Sequence, residues 1–228
     1  MDTHSDSGTR GATGADFVTA TRVFYDAIAE DYYARFRSVL AAQPLERAVI
    51  AAYAEFVRGS GGAGGQVADL GCGPGWVTAL LDSLGLSVFG LDVSESMLAV
   101  ARREHPGLRF EQGSMLELDL ADGALAGVVS WYSSIHTPAD RLPALFAEFR
   151  RVLAPGGQLL LGFQAGDVHK HHDQPFGHPV SMTFQRRRPE RIAELLTEAG
   201  FTLTSQTVRA AYEEAETSPQ AFLMARRS

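Results

Sequence analysis

The chain has 228 residues, 45% hydrophobic and 21% charged, with 20 basic against 27 acidic side chains and a net charge of −7. That length removes roughly 70–75% of the unfolded surface from water on folding, enough for one large domain without covalent staples. A single cysteine, Cys72, excludes a disulfide framework and a multi-thiolate metal site, no run reaches the roughly 18 apolar residues of a membrane helix, and the acidic balance gives no footprint for a polyanion.

The segment from Met1 to Asp16 is Gly, Ser, Thr and Asp without apolar period, the composition of a disordered tail. It lacks the basic-then-apolar layout of a signal peptide. With the reducing environment that one cysteine suggests, this predicts a cytoplasmic protein with neither nucleic acid nor membrane as partner. The oligomeric state stays open. From Phe17 the spacing turns helical: Phe24, Ile28, Tyr32 and Phe36 recur about every four residues, and Pro44 opens a second helix through Val57. Residues 17–58 thus form a helical N-terminal segment, and Gly59 to Gly65 a flexible break.

Strand and helix patterns then alternate. Val67–Leu70 reads as a buried strand and Val77, Leu80, Leu81 and Leu84 as a helix. Ser87–Leu91 is a second strand, followed by a helix that Ser94 caps. Leu108 begins a third strand and Gly127–Trp131 forms a fourth. Thr137, Pro138 and Asp140 resemble a capping box for a helix reaching Leu153, and Gln158–Phe163 is a fifth strand. This alternation predicts an α/β fold, a doubly wound and mostly parallel sheet with helices on both faces. At the end Pro189 starts a helix that Gly200 stops. The last two strand-like segments, joined by Ala210 to Pro219, are too close for a helical crossover and predict an antiparallel hairpin. Residues 17–228 read as one domain. Within it, residues 165–184 form an insert whose Gly, Pro, His and apolar residues suit a mobile lid.

The informative segment is VADLGCGPGWVTALL. Gly71, Gly73 and Gly75 fall at the turn from the first strand into its helix, where missing side chains let backbone N–H groups approach a ligand. A dinucleotide and a sulfonium nucleoside both use such turns. The dinucleotide spacing G-x-G-x-x-G is not met, because Trp76 follows Gly75. Asp69 would put a carboxylate by the ligand, unfavourable beside a pyrophosphate and suited to an ammonium and a sulfonium. Asp92 ends the second strand, where an acid accepts from both ribose hydroxyls. Either acid could instead cap a helix.

On these residues the chain resembles the class I S-adenosylmethionine-dependent methyltransferases of the small-molecule type. Asp69, Gly71, Gly73 and Gly75 match the family's D-x-G-x-G-x-G. Further matches are Asp92 with Ser94 and Met97, the stretch Gln112–Met115, the stretch Phe149–Gly157, and Tyr25–Tyr32, similar to the family's N-terminal helix. The resemblance implies a seven-stranded sheet with an antiparallel C-terminal strand and a helical N-terminal lid, and S-adenosyl-L-methionine as cofactor. It implies that Asp69, Gly71 and Gly73 hold the methionine moiety, Asp92 the ribose, and Ser114 with Met115 the adenine. Tyr25, Tyr32, Cys72, Gly75, Val93, Met97, Gly113, Ser130 and Trp131 complete the cofactor site. Ser114 and Ala126 stand where the family commonly has Asp.

The implied reaction is methyl transfer to a small-molecule acceptor, with a hydroxyl of a specialised metabolite as one such acceptor. Such an acceptor needs a base, and His136, in the segment leaving the fourth strand, is the candidate. Trp131 and Tyr132 either wall the acceptor pocket or face the core. His169, His171, His172 and His178 cluster in the insert. His169, His171 and His178 are candidates for acceptor contact, a solvated polar loop is the stronger reading, and no metal is expected, since acidic partner ligands are lacking. The basic run Arg186–Arg188 reads as a solvated stretch. The alternatives are a cofactor-binding regulatory protein without turnover and an NAD(P)-dependent oxidoreductase.

Overall fold

A computed structural model describes residues 14–60, 65–212 and 216–228. The expected tail therefore lies mostly outside the described residues, as does the core of the glycine-rich break. The first helix, α1, is Gly14–Phe36. A single turn, α2, Val39–Ala42, precedes α3, Pro44–Gly59. The alternating region gives β1 Gln66–Leu70, α4 Trp76–Ser83, β2 Val88–Asp92, α5 Glu95–Glu104, β3 Arg109–Gln112, β4 Leu125–Trp131, α6 Leu142–Val152 and β5 Leu153–Gln164. Then come the short strands β6, Lys170–Asp173, and β7, Ser181–Phe184, followed by α7 Pro189–Glu198, β8 Phe201–Arg209 and β9 Gln220–Arg227.

Seven strands form one sheet in the order β3-β2-β1-β4-β5-β9-β8. All neighbouring pairs are parallel except those of β9, which runs antiparallel to both β5 and β8. The architecture expected from the sequence, helices around a mostly parallel sheet with an antiparallel C-terminal strand, is the one observed. Apolar residues cover both faces. On one, Leu145, Phe146 and Phe149 of α6 and Ile192, Leu195 and Leu196 of α7 meet Val128, Leu159 and Leu161. On the other, Ile50, Tyr53 and Val57 of α3 and Leu81 of α4 meet Val67, Val129, Leu160 and Phe222. Among the described residues no helix is long and apolar enough to cross a membrane.

Two expectations change. Thr137–Asp140 does not cap a helix. Asp140 lies in a single tight turn, Ala139–Arg141, that no side chain caps, and α6 begins only at Leu142. The insert is not a loop: β6 and β7 pair antiparallel, His171 with Thr183 and His172 with Met182.

Candidate functional site

The switch in strand order falls between β1 and β4, so the carboxyl ends of β1 and β2 and those of β4 and β5 flank the crevice where ligands of open α/β sheets bind. At the end of β1 the three glycines all have positive φ, +72° at Gly71, +51° at Gly73 and +84° at Gly75. Their surroundings differ. A side-chain carbon on Gly71 would lie 2.3 Å from Cβ of Ser133, and one on Gly75 2.7 Å from the Phe110 ring, whereas one on Gly73 would meet nothing within 4 Å. Gly71 and Gly75 are packing glycines, and Gly73 faces open space.

The turn's donors point inward, which corrects the expectation that its N–H groups reach a ligand. Gly71 and Cys72 both donate to the Leu91 carbonyl (2.7 and 3.1 Å) and Gly75 donates to Cys72 (3.0 Å). Gly73 N–H donates to Oδ2 of Asp92 (2.8 Å), whose Oδ1 accepts from Ser94 N–H (2.9 Å). Such a turn offers few donors to a pyrophosphate. It aims Asp92 instead, with each carboxylate oxygen held by one backbone donor and keeping lone pairs for further donors. Burial raises the Asp92 pKa above the usual carboxylate range, against the pull of these bonds. Asp69 is buried near the end of β1, where its Oδ2 accepts from Thr78 Oγ1 (2.7 Å); burial pushes its pKa up to about 7.

Helix α1 lies over this end of the sheet. Oδ1 of Asp26 accepts from Ser94 Oγ (2.7 Å) and Ser96 N–H (3.2 Å), while Ser94 caps α5 by accepting from Met97 N–H (3.1 Å). Met97 is buried with Ala29 and Val100 under Tyr25, Tyr32 and Tyr33. Tyr32 stacks on Trp76 at 5.9 Å, and burial with the nearby Asp92 charge pushes its pKa up to about 12. The structure thus brings Tyr25, Tyr32, Met97 and Asp92 together.

The expected adenine segment follows β3. Gly113 donates to the Asp92 carbonyl (3.0 Å), and Oγ of Ser114 accepts from Leu116 N–H (3.2 Å). Met115 reaches across to Gly71. The Val93 carbonyl accepts from Gln112 Nε2 (3.1 Å). Cys72 turns its thiol inward among Leu98, Ala101 and Phe110, and burial raises its pKa. Its backbone is at the site and its sulfur is in the core.

At the end of β4, Ser130 Oγ and Ser133 Oγ share a 2.8 Å hydrogen bond, and Ser133 Oγ donates to the Leu70 carbonyl (2.6 Å), so this loop is tied to the glycine turn. Trp131 stacks on Phe222 at 5.0 Å, the core-facing alternative. Tyr132 takes the left-handed conformation (φ +54°), rare for a bulky side chain. His136 is 8% exposed. Its Nε2 shares a 2.8 Å hydrogen bond with the Tyr25 hydroxyl, and its Nδ1 is buried without a partner among the described residues. Burial, with the nearby Arg187 charge, holds its pKa down to about 3.

The histidines of the insert divide by the two-residue period of β6. His171 and His169 are exposed, and His171 only meets Thr183 Oγ1 (3.0 Å); neither is brought to the site. His172 faces inward against Phe184 (4.5 Å), which also touches His136 and Phe24. His178 pairs with Asp31 of α1 (2.7 Å), fastening the hairpin to the helix. Sequence reasoning missed Asp26, Ser133, Phe184 and Arg187. Arg186 and Arg188 face outward toward Thr217 and Asp167, while Arg187 between them is buried. Reading the basic run with a strand's alternation would have separated it from its neighbours.

The family described as "Methyltransferase domain" matches residues 67–157, the stretch that carries these glycines, Asp69, Asp92, Ser114 and His136. The chain is 33% identical over 121 residues to a malonyl-[acyl-carrier protein] O-methyltransferase of Serratia marcescens, a match covering 50% of this chain and 45% of that relative; it spans less than half of that relative's length. It is 31% identical over 150 residues to an uncharacterized methyltransferase of Synechocystis sp., covering 61% of this chain and 68% of that protein. The fold superposes with a TM-score of 0.70 on a Burkholderia thailandensis 1,6-didemethyltoxoflavin-N1-methyltransferase, at 18% identity and covering 97% and 93% of the two chains. With the sheet order, the motif at the end of β1 and this identity over two thirds of a relative, the chain belongs to the class I S-adenosylmethionine-dependent methyltransferases.

Proposed function

We propose that this chain transfers a methyl group from S-adenosylmethionine to a small-molecule acceptor, at oxygen, in the cytoplasm. The observation that carries the reading is Asp92, clasped by Gly73 and Ser94 N–H groups beside the open space before Gly73. That arrangement fits a ribose diol. When bound, S-adenosylmethionine supplies a methyl carbon activated by its sulfonium. The chain's part is to orient the two reactants and exclude water: Asp92 holds the ribose, Asp69 favours the cationic end, and α1 covers both. Relatives named as O-methyltransferases favour oxygen as the nucleophile.

A hydroxyl acceptor would call on His136 as general base. Its engagement by Tyr25 and its depressed basicity favour a different part: we assign it to hold α1 closed and to present Nδ1. The oxidoreductase alternative is not favoured, since the turn spends its donors on Leu91, Cys72 and Asp92. Calorimetry tests the reading. S-adenosylmethionine and S-adenosylhomocysteine should bind, NAD and NADP should not, and Asp92→Ala should weaken binding about tenfold or more, the value of a hydrogen bond to a charged group. Unchanged affinity in that variant would remove the ribose assignment. Mass spectrometry of a metabolite pool incubated with labelled cofactor should show a gain of one CH2 group, and binding without any such product would establish the regulatory alternative.

A further inference from the structure

We infer that the acceptor is a carboxylate, methylated on oxygen to an ester, and that Arg187 binds it; this rests on the methyl-transfer reading above. Two buried arginines invite comparison. Arg209, 8% exposed, is matched by two carboxylates, those of Glu46 and Glu216. Arg187, equally buried, has Gln185 Oε1 (2.9 Å) and the Thr137 carbonyl as partners. Among the described residues no carboxylate lies within ion-pair distance of it. Two neutral acceptors take part of its five-donor fork and leave its charge uncompensated, a costly arrangement in a protein interior. Burial accordingly draws the guanidinium down to about 10.

The position is that of an acceptor site. Arg187 N–H donates to the Gln164 carbonyl and the Arg187 carbonyl accepts from Gly166 (both 3.0 Å), which places the residue at the carboxyl end of β5. The cofactor-side residues lie over β1 and β2, on the far side of the switch point, so the β4 and β5 ends remain for the second reactant. The Arg187 charge is felt at His136. The Tyr25 hydroxyl and Nε2 of His136 share one hydrogen bond (2.8 Å), and Nδ1 of the same ring is buried without a partner among the described residues. An uncompensated buried cation and an unpartnered imidazole nitrogen thus both lie at the β4 and β5 ends, and a carboxylate would compensate the cation.

The chemistry agrees. A carboxylate is ionised at neutral pH and needs no base, consistent with a site whose histidine is a poor one. A guanidinium fork matches it in shape as well as in charge. One carboxylate oxygen gives a lone pair to the methyl carbon as the carbon–sulfur bond breaks and its electron pair passes to sulfur. The anion and the sulfonium become a neutral ester and a thioether, and no proton moves.

The test uses the full chain with methyl-labelled S-adenosylmethionine and a small-molecule extract of the producing cells, then mild alkali, which releases the label as methanol from esters and leaves methyl ethers, amines and C-methyl groups intact. Label released by alkali is the expected result. Alkali-stable label would overturn the carboxylate assignment while leaving methyl transfer standing, and failure to bind S-adenosylhomocysteine would overturn the parent reading. In a second arm, the protein saturated with S-adenosylhomocysteine is titrated with malonate, succinate and benzoate. Arg187→Met should weaken the tightest of these about 30-fold or more, and Arg187→Lys, which keeps the charge and loses the fork, about tenfold. Both should keep wild-type affinity for S-adenosylhomocysteine, which shows that they fold. If no acid binds the wild type more tightly than Arg187→Met, the inference is wrong.

Discussion

Asp69 and Asp92 are both buried acids at strand ends, yet their neighbours give them different ionisation behaviour. Asp92 is steadied by two backbone donors, and Asp69 mainly by Thr78. With a folded pKa of about 7 against an ordinary 3.8, Asp69 contributes stability that is full below about pH 4 and lost as pH rises through 7. Asp69→Asn keeps an acceptor for Thr78 and removes the charge, so its melting temperature should exceed that of the wild type at pH 8 and match it at pH 4; equal values at pH 8 would show the carboxylate is not strained by burial. His136 has the opposite sign. Its depressed pKa means that acidification from about 6.5 toward 3 favours the unfolded chain, which takes up the proton more readily. As a residue that presents a hydrogen bond, it should on substitution to Asn raise KM about tenfold while kcat falls by less than the 10²–10⁴ of a lost general base. A fall in that larger range, with an acid limb near pH 6 in kcat, would restore it as the base.

At the scale of elements, the strands of the main sheet and most helices were legible because their apolar periods and punctuation agree: Ser94 caps α5 and Pro44 and Pro189 open their helices as expected. The Thr137–Asp140 reading failed because the chain makes a separate single turn, Ala139–Arg141, before α6 begins at Leu142, so the residues that look like a capping box do not stand at the helix start. The β6–β7 hairpin was hidden by its composition. Lys, His and Asp are poor strand formers, and the apolar contact that holds it, Phe184 on Phe24 and His136, comes from α1 and the β4 end and is invisible to local pattern. The hairpin is joined to α1 through Asp31 and His178 at a pair half open to solvent, worth about 1 kcal/mol or less. Hydrogen exchange should therefore show β6, β7 and α1 exchanging together and slowing when cofactor and acceptor are both bound, with the glycine turn slowed by cofactor alone. Identical exchange of the hairpin with and without acceptor during turnover would mean that the pocket is built from strand ends only.

For the molecule as a whole, the mostly parallel sheet and the glycine turn were readable, since a parallel βα repeat leaves few topologies. Long-range pairing was not. Glu46 at the start of α3, fully buried, binds Arg209 at the end of β8, which also holds Glu216 across the final connection and lies 3.8 Å from the Tyr212 ring. These residues are 163 positions apart, and nothing local marks Glu46 as a core residue. The same separation hid Tyr25–His136, 111 positions apart. Breaking a buried pair leaves an uncompensated charge; because Arg209 keeps Glu216, Glu46→Ala should cost about 3 kcal/mol, at the low end of that range, and lower the melting temperature by about 6–12 °C. A loss below about 1 kcal/mol in denaturant melts would show that Glu216 alone suffices.

Helix α1 touches both halves of the crevice: Asp26 grips the start of α5 on the cofactor side, while Tyr25 meets His136 on the other. One gate thus serves two passengers. On the proposed reading, the spent nucleoside and the methylated acceptor both leave by an opening of α1 that breaks these contacts. Stopped-flow mixing should accordingly give a first turnover faster than all later ones, and breaking the latch with Tyr25→Phe should shrink that burst by hastening departure. A linear time course from the first turnover would place the slow event in chemistry and free the helix from governing the cycle.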